Sequence, residues 1–156
     1  MIRSDVKRAI EQAVVGEPFA RLLGIVLVGL DDGFSQVEMI FDPHRMNNIY
    51  GRAHGGAIFG LIDEAFETAS QTDGTIAVAL NVSVTYVASP LPGQRLRAQA
   101  RRVSQTKQTA LYGIEVHDDQ ERLLASCQAL AFRTGKTIPF LDRPAEHAGP
   151  SQMPNE

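Results

Sequence analysis

The chain has 156 residues with 44% hydrophobic and 21% charged side chains, enough for one domain with a real core and unlike a disordered or fibrous protein. Its formal net charge of −3 offers no basic field for nucleic acid, and no apolar run reaches the ~18 residues of a membrane span. A single cysteine, Cys127, excludes an internal disulfide and a cysteine-rich metal site. Its small neighbours Ala125, Ala129 and Ala131 make it read as a packed strand residue. The start, MIRSDVKRAIEQ, lacks the apolar stretch of a signal peptide, so the expectation is a cytoplasmic protein.

In chain order, Ser4 to Val15 reads as an amphipathic helix, capped by Ser4, with Val6, Ile10, Ala13 and Val14 on its apolar face. Gly16 and Pro18 stop it, and Phe19 to Leu23 forms a further turn. Gly24 to Leu30 is a strand, Asp31-Asp32-Gly33 a hairpin turn, and Phe34 to Phe41 the returning strand. Asp42-Pro43-His44 ends the hairpin, and a loop leads to the central helix.

From Ala57 onward Ile58, Phe59, Leu61, Ile62, Ala65, Phe66 and Ala69 recur at helical spacing and cover most of the circumference, the mark of a buried helix. Gly55 and Gly56 stand at its start, where the first backbone N–H groups have no partner inside the helix. Two acids follow side by side. Residues three and four apart share a face, so Asp63 neighbours Phe59 and Phe66, while Glu64 is flanked by Gly60, Glu67 and Thr68. This assigns Glu64 to a solvated stripe and Asp63 to the apolar side, where an ionised carboxylate is costly without compensation. Such a carboxylate points to a working site rather than to a purely structural bond.

After Asp73-Gly74, strict alternation from Ile76 to Tyr86 predicts a long strand. Ile76, Val78, Leu80, Val82, Val84 and Tyr86 lie on one face, with Ala77, Ala79, Asn81, Ser83 and Thr85 on the other. The Ser89-Pro90-Leu91-Pro92-Gly93 turn leads to a fourth strand from Gln94 to about Ser104, whose apolar phase slips between Ala100 and Val103, as at a bulge. Thr109 to His117 and Leu123 to Phe132 form a hairpin across Asp118-Asp119-Gln120. Ile138 and Phe140 are expected to touch the body, and 141–156 to form a mobile tail outside a single domain of residues 1–140. One long helix among strands joined mainly by tight turns predicts an α+β protein, an antiparallel sheet curled around that helix. Neither a phosphate loop, a paired-histidine zinc motif nor a Gly-x-Ser-x-Gly elbow is present.

The run Asn48-Ile49-Tyr50-Gly51-Arg52-Ala53-His54-Gly55-Gly56, with Asp63 nine residues after His54, resembles the PaaI-like branch of the hot-dog-fold acyl-CoA thioesterases. Phe19, Leu23, Gly24 and Ile25 look like that family's entry to its first strand. Val84-Thr85-Tyr86 through Pro90 and Pro92-Gly93 looks like its long strand and turn. The resemblance implies hydrolysis of an acyl-CoA thioester without a cofactor or a metal, by homodimers or dimers of dimers with active sites between subunits. It matches Asp63 to the family's nucleophile or general base. Gly55 corresponds to the glycine whose N–H binds the thioester carbonyl, and Asn48 to the asparagine that places water or thioester. Ser83, or else Asn81 or Thr85, falls where a second subunit contributes a hydroxyl.

Chemistry agrees independently of that likeness. A donor pre-aimed at the thioester oxygen stabilises the charge that gathers there during attack, and a glycine N–H at a helix start supplies bond, dipole and close approach. His54 precedes the helix, which favours positioning through its ring over catalysis or plain burial. Gly56, Phe59, Ile62 and Phe66 are expected to line the substrate pocket, with an aryl or medium acyl group in view. Arginines of the fourth strand, Arg52 and Lys107 are read mainly as solvated charge, with contact to coenzyme A phosphates open to one or two of them. The rival reading is a non-catalytic acyl-CoA sensor, although this chain keeps the acid and carries no basic DNA-reading segment.

Overall fold

The computed structural model describes residues 1–141; of the tail expected over 141–156, Leu141 is described and packs against the core under α1, and the rest lies outside the described residues. Elements follow in the order α1 (Ser4–Gly16), α2 (Pro18–Leu23), β1 (Val26–Asp31), β2 (Phe34–Ile40), α3 (Pro43–Met46), α4 (Gly55–Ser70), β3 (Thr75–Tyr86), β4 (Arg95–Gln105), β5 (Thr109–His117) and β6 (Leu123–Thr137). The strands form one six-stranded sheet in the order β1-β2-β4-β5-β6-β3, each neighbouring pair antiparallel. The sheet therefore has β1 and β3 as its edges, and α4 lies across its inner face.

Small residues make room for that helix. Ala98 and Ala100 on β4, Ala110 on β5, and Ala125, Ala129 and Ala131 on β6 are all buried in the core that holds Leu61, Ile62, Ala65 and Ala69 of α4. Larger side chains fill the flanks: Val37 and Met39 from β2, Leu96 from β4, and Ile114 and Val116 from β5. A second core lies under α1, where Val6, Ala9, Ile10 and Val14 meet Leu30 and Ile138. Phe140 also packs there, so both C-terminal contacts expected of the chain form.

Gly60 sets the approach of α2 to α4. A Cβ at this position would lie 2.8 Å from Leu23 Cδ1 and 3.1 Å from the Phe19 ring, so glycine lets α2 rest on this turn without displacing either side chain.

Local expectations fail at three points. Ser4 does not cap α1; Arg3 occupies the cap position without a side-chain bond and pairs instead with Asp5 in the first turn. β6 runs five residues beyond Phe132, to Thr137, because Thr75 and Ala77 of β3 continue to pair with it. β3 also breaks its own alternation with register shifts between Thr75 and Ala77 and between Ala79 and Asn81. A bulge reverses the side-chain phase, so Val82 and Val84 turn toward the core while Val78 and Leu80 are exposed. The slip expected in β4 does form, as a register shift between Arg102 and Ser104 that leaves Val103 exposed.

Candidate active site

The segment before α4 is a closed loop. Asn48 Oδ1 accepts the N–H groups of Tyr50 and Arg52 at 2.9 and 3.1 Å, and the Asn48 N–H donates to Arg52 O at 2.7 Å. Gly51 turns the chain at φ 69°, and the His54 N–H donates to Met46 O at 2.7 Å. With its Oδ1 occupied, Asn48 keeps its side-chain NH2 as the group to offer a ligand.

The start of α4 is fixed with the same economy. His54 is the N-cap, and its Nδ1 accepts the Gly56 N–H at 2.9 Å. That bond makes Nδ1 the unprotonated nitrogen and leaves the proton of a neutral ring on Nε2. On the other side of the same peptide unit, Tyr86 Oη donates to Gly55 O at 3.0 Å. A Cβ on Gly55 would come within 3.2 Å of the Tyr86 ring, so glycine here favours close contact rather than an unusual φ. The Gly55 N–H finds no acceptor among the described residues, and it points from a rigid helix terminus. Tyr86 is a contact of the helix start that sequence reasoning missed. A tyrosine closing a long strand carries no signal of contact 31 residues upstream.

The two acids exchange the surroundings expected of them. Glu64, read from spacing as solvated, is 2% exposed, and neither carboxylate oxygen has a hydrogen-bond partner. Asp63 is only half-buried. The cause is α2, which covers Gly60 one turn before Glu64 and brings Glu17, at the α1–α2 junction, to the same spot. Burial, then the charges of Glu17 and Glu67, push the Glu64 carboxyl up to about 9. Glu67 is exposed as a whole residue, but loss of water around its carboxyl, with Glu17 and Asp63 beside it, raises it above its ordinary value. For Asp63 burial alone raises the carboxyl above its ordinary value, and no bond or ion pair among the described residues opposes it.

Asp63 faces the β3–β6 side of the sheet, where its charge, after burial, helps push the Cys127 thiol up to about 11. Cys127 is buried on β6, a packed strand residue as expected. Asn81, Ser83 and Thr85 are exposed on β3. Phe66, expected beside Phe59 in the pocket wall, is instead a core residue. It is 3% exposed and meets Tyr112 edge to face with ring centroids 5.5 Å apart. Phe59 is presented at the surface, and Gly56 is exposed at the helix start.

The half-buried Asp63 carboxylate and the unpartnered Gly55 N–H thus stand on one helix, and comparisons with known proteins identify the family. Residues 50–125 match the family model described as the thioesterase superfamily. A putative esterase of Archaeoglobus fulgidus is 31% identical over 86% of this chain and 86% of its own length. The acyl-coenzyme A thioesterase PaaI of Escherichia coli is 34% identical over 76% of this chain and 84% of its own. The solved structure of that E. coli protein superposes with a TM-score of 0.83 over 88% of this chain and 99% of its own, at 30% identity. Streptococcus mutans smu.793, solved bound to acetyl CoA, gives a TM-score of 0.69 at 29% identity over 73% of this chain and 91% of its own.

The chain belongs to the thioesterase superfamily and has its α+β hot-dog fold, a sheet wrapped around one long helix. Within that superfamily it is a PaaI-like enzyme, a thioester hydrolase.

Proposed function

We propose that the protein hydrolyses acyl-CoA thioesters to a free acid and coenzyme A, at sites each assembled from two copies of the chain. The observation that carries this reading is the pair of unpartnered groups on α4, the Gly55 N–H at its start and the Asp63 carboxylate. Support for the substrate comes from the relatives, one named an acyl-coenzyme A thioesterase and one solved with acetyl CoA.

Helix geometry supports the assembly. Gly55 and Asp63 are eight residues apart, which in an α-helix is a rise of ~12 Å. A thioester carbonyl needs its donor at roughly 3 Å from oxygen and its attacking group at roughly 3–3.5 Å from carbon, a combined reach well short of that rise. The Gly55 of one copy and the Asp63 of another therefore serve one substrate. β3 supplies a surface for such pairing. It is an edge strand of 12 residues with exposed Val78 and Leu80, a form that isolated proteins normally avoid.

In this scheme the Gly55 N–H, held by the pinned peptide that follows it, bonds to the carbonyl oxygen as it gains charge. The ionised Asp63 takes a proton from water or attacks the carbonyl carbon itself. The Asn48 NH2 and a hydroxyl from the Asn81, Ser83 and Thr85 face orient water or thioester. His54 holds the helix start through Nδ1, and the coenzyme A thiolate leaves without a strong general acid.

Thiol release from phenylacetyl-, benzoyl- and straight-chain acyl-CoA tests the reading. Turnover that disappears in Asp63→Ala, while the folded variant still binds the thioester, is the expected result. Equal slow release from both proteins would make the chain an acyl-CoA binding module. Mixing chains that carry Asp63→Ala with chains that carry a bulky residue at Gly55 tests the shared site. Mixed dimers regain one intact site and part of the activity if the two groups come from different chains, and none if they come from the same chain.

A further inference from the structure

Glu64 is buried against two other acids, and nothing in the proposed hydrolysis uses it. One carboxylate oxygen each from Glu17, Glu64 and Glu67 lies within 4.8 Å of the other two. Glu64 is 2% exposed, both of its oxygens lack a hydrogen-bond partner, and its carboxylate is aimed into this cluster. Three acids converge where, among the described residues, no lysine or arginine pairs with any of them. Buried carboxylates are retained in proteins when they are paired, hydrogen-bonded or bound to a metal. Here, among the described residues, the side chains in reach of Glu64 are the other two acids, and a hydrogen bond to Glu17 needs a proton that a cation would replace.

We propose that Glu17, Glu64 and Glu67 bind a hard divalent cation of the calcium, magnesium or manganese class. The ligand chemistry suits this class, because carboxylate oxygens select such ions over the softer metals held by histidine and cysteine. Spacing agrees as well. Opposite ligands of one calcium ion stand roughly 4.6–5.2 Å apart and adjacent ones closer, and the three carboxylate oxygens all lie within 4.8 Å of one another. The remaining coordination positions face the exposed Glu67 side, where water completes the shell.

Fold and sequence explain why no motif announces the site. Glu64 and Glu67 are three apart on α4, so they stand on one helix face. Glu17 comes from the α1–α2 junction, 47 residues before Glu64, and is delivered by α2, which packs closely over Gly60. Bound there, the cation cross-links α2 to α4 and holds in place the helix pair that carries Phe19 and Leu23.

The test uses the full chain, stripped with a chelator and dialysed. Manganese uptake is followed by electron paramagnetic resonance, calcium and magnesium uptake by calorimetry, and each ion also by thermal melting. About one ion per chain and a rise in Tm with ion concentration are expected, since a ligand that binds only the folded state stabilises it. Glu64→Gln and Glu17→Gln each weaken uptake by about 10- to 100-fold or more, as even outer partners of metal sites do when removed. Glu115→Gln, on the far strand β5, and Asp63→Asn both retain it, which separates this site from the hydrolytic acid. Failure of all three ions to bind at millimolar concentration overturns the proposal. Uptake unchanged in both Gln variants overturns it equally, and so does uptake lost in Asp63→Asn alone.

Discussion

The two ends of α4 are built on opposite terms. At and just beyond its C-terminal end Thr68, Thr72 and Asp73 each have partners. Thr68 Oγ1 donates to Glu64 O at 2.7 Å and meets Ser35 Oγ at 2.6 Å. Thr72 Oγ1 donates to Ala69 O at 2.9 Å and accepts the Gly33 N–H at 2.8 Å. Asp73 takes the N–H and hydroxyl of Thr75 and pairs with Arg133. From its start to its middle the Gly55 N–H and the Asp63 carboxylate have none among the described residues, and the Glu64 carboxyl has only other acids beside it. One helix thus shows both uses of a buried polar group. Satisfied, it fixes the structure; left open, it is available to substrate or ion.

Asp63→Asn breaks the open end hardest. Removal of a general base or nucleophile is expected to lower kcat by about 10³-fold or more. Stability should hold or improve, because the substitution deletes a charge that burial already disfavours. Thiol release and a thermal melt on the same sample check both halves, and a sharp fall in Tm would give Asp63 a structural role instead.

Asp73→Asn is the matching change at the closed end, with the opposite signature. Loss of the ion pair should cost about 1–2 kcal/mol at neutral pH, read as a lower denaturation midpoint, with kcat unchanged. The pH dependence follows from direction alone. Burial would raise Asp73, but bonds from Thr75 and Arg133 outweigh it and hold the carboxyl below its ordinary value. A depressed folded-state pKa stabilises at every pH above the unfolded value of ~3.9 and ceases to do so as pH falls through the folded value. Wild type and variant should therefore converge in acid and differ fully from about pH 5 upward.

Ser35→Ala probes the same end more gently. Thr68 keeps its bond to Glu64 O after the change, so a loss of about 1 kcal/mol is expected in a urea melt, without effect on turnover.

How far the contrast was legible depends on what range each signal covers. Apolar periodicity placed α4, and the turn residues Asp32-Gly33 placed the first hairpin, because both are local properties. The motif from Asn48 to Gly56 pointed to the open helix start for the same reason. Glu64 escaped, since spacing along one helix says which residues share a face but not what lies over that face. Gly60 was read as part of a wet stripe, whereas it marks the contact with α2. The phase of β3 was misread in a similar way. Alternation in sequence assumes an unbroken ladder, and the shift between Ala79 and Asn81 turns Val78 and Leu80 outward. Tyr86 and Glu17 act through contacts with partners 31 and 47 residues away, which no window along the chain contains.

Tyr86→Phe gives the finest test, because Tyr86 places one satisfied bond inside the open end. The ring that crowds Gly55 stays, and only the hydroxyl bond to Gly55 O is lost. That bond lies at the surface, so its loss should cost about 0.5–1 kcal/mol and hardly move Tm. If it serves to steady the helix start, the same energy should reappear as a fall of about two- to fivefold in kcat, with KM little changed. Gly56 would still be held by His54 Nδ1, so the donor N–H would be loosened rather than lost. An unchanged kcat would mean that the His54 cap alone aims the Gly55 N–H, and the pinning of that peptide from its carbonyl side would be a structural detail only.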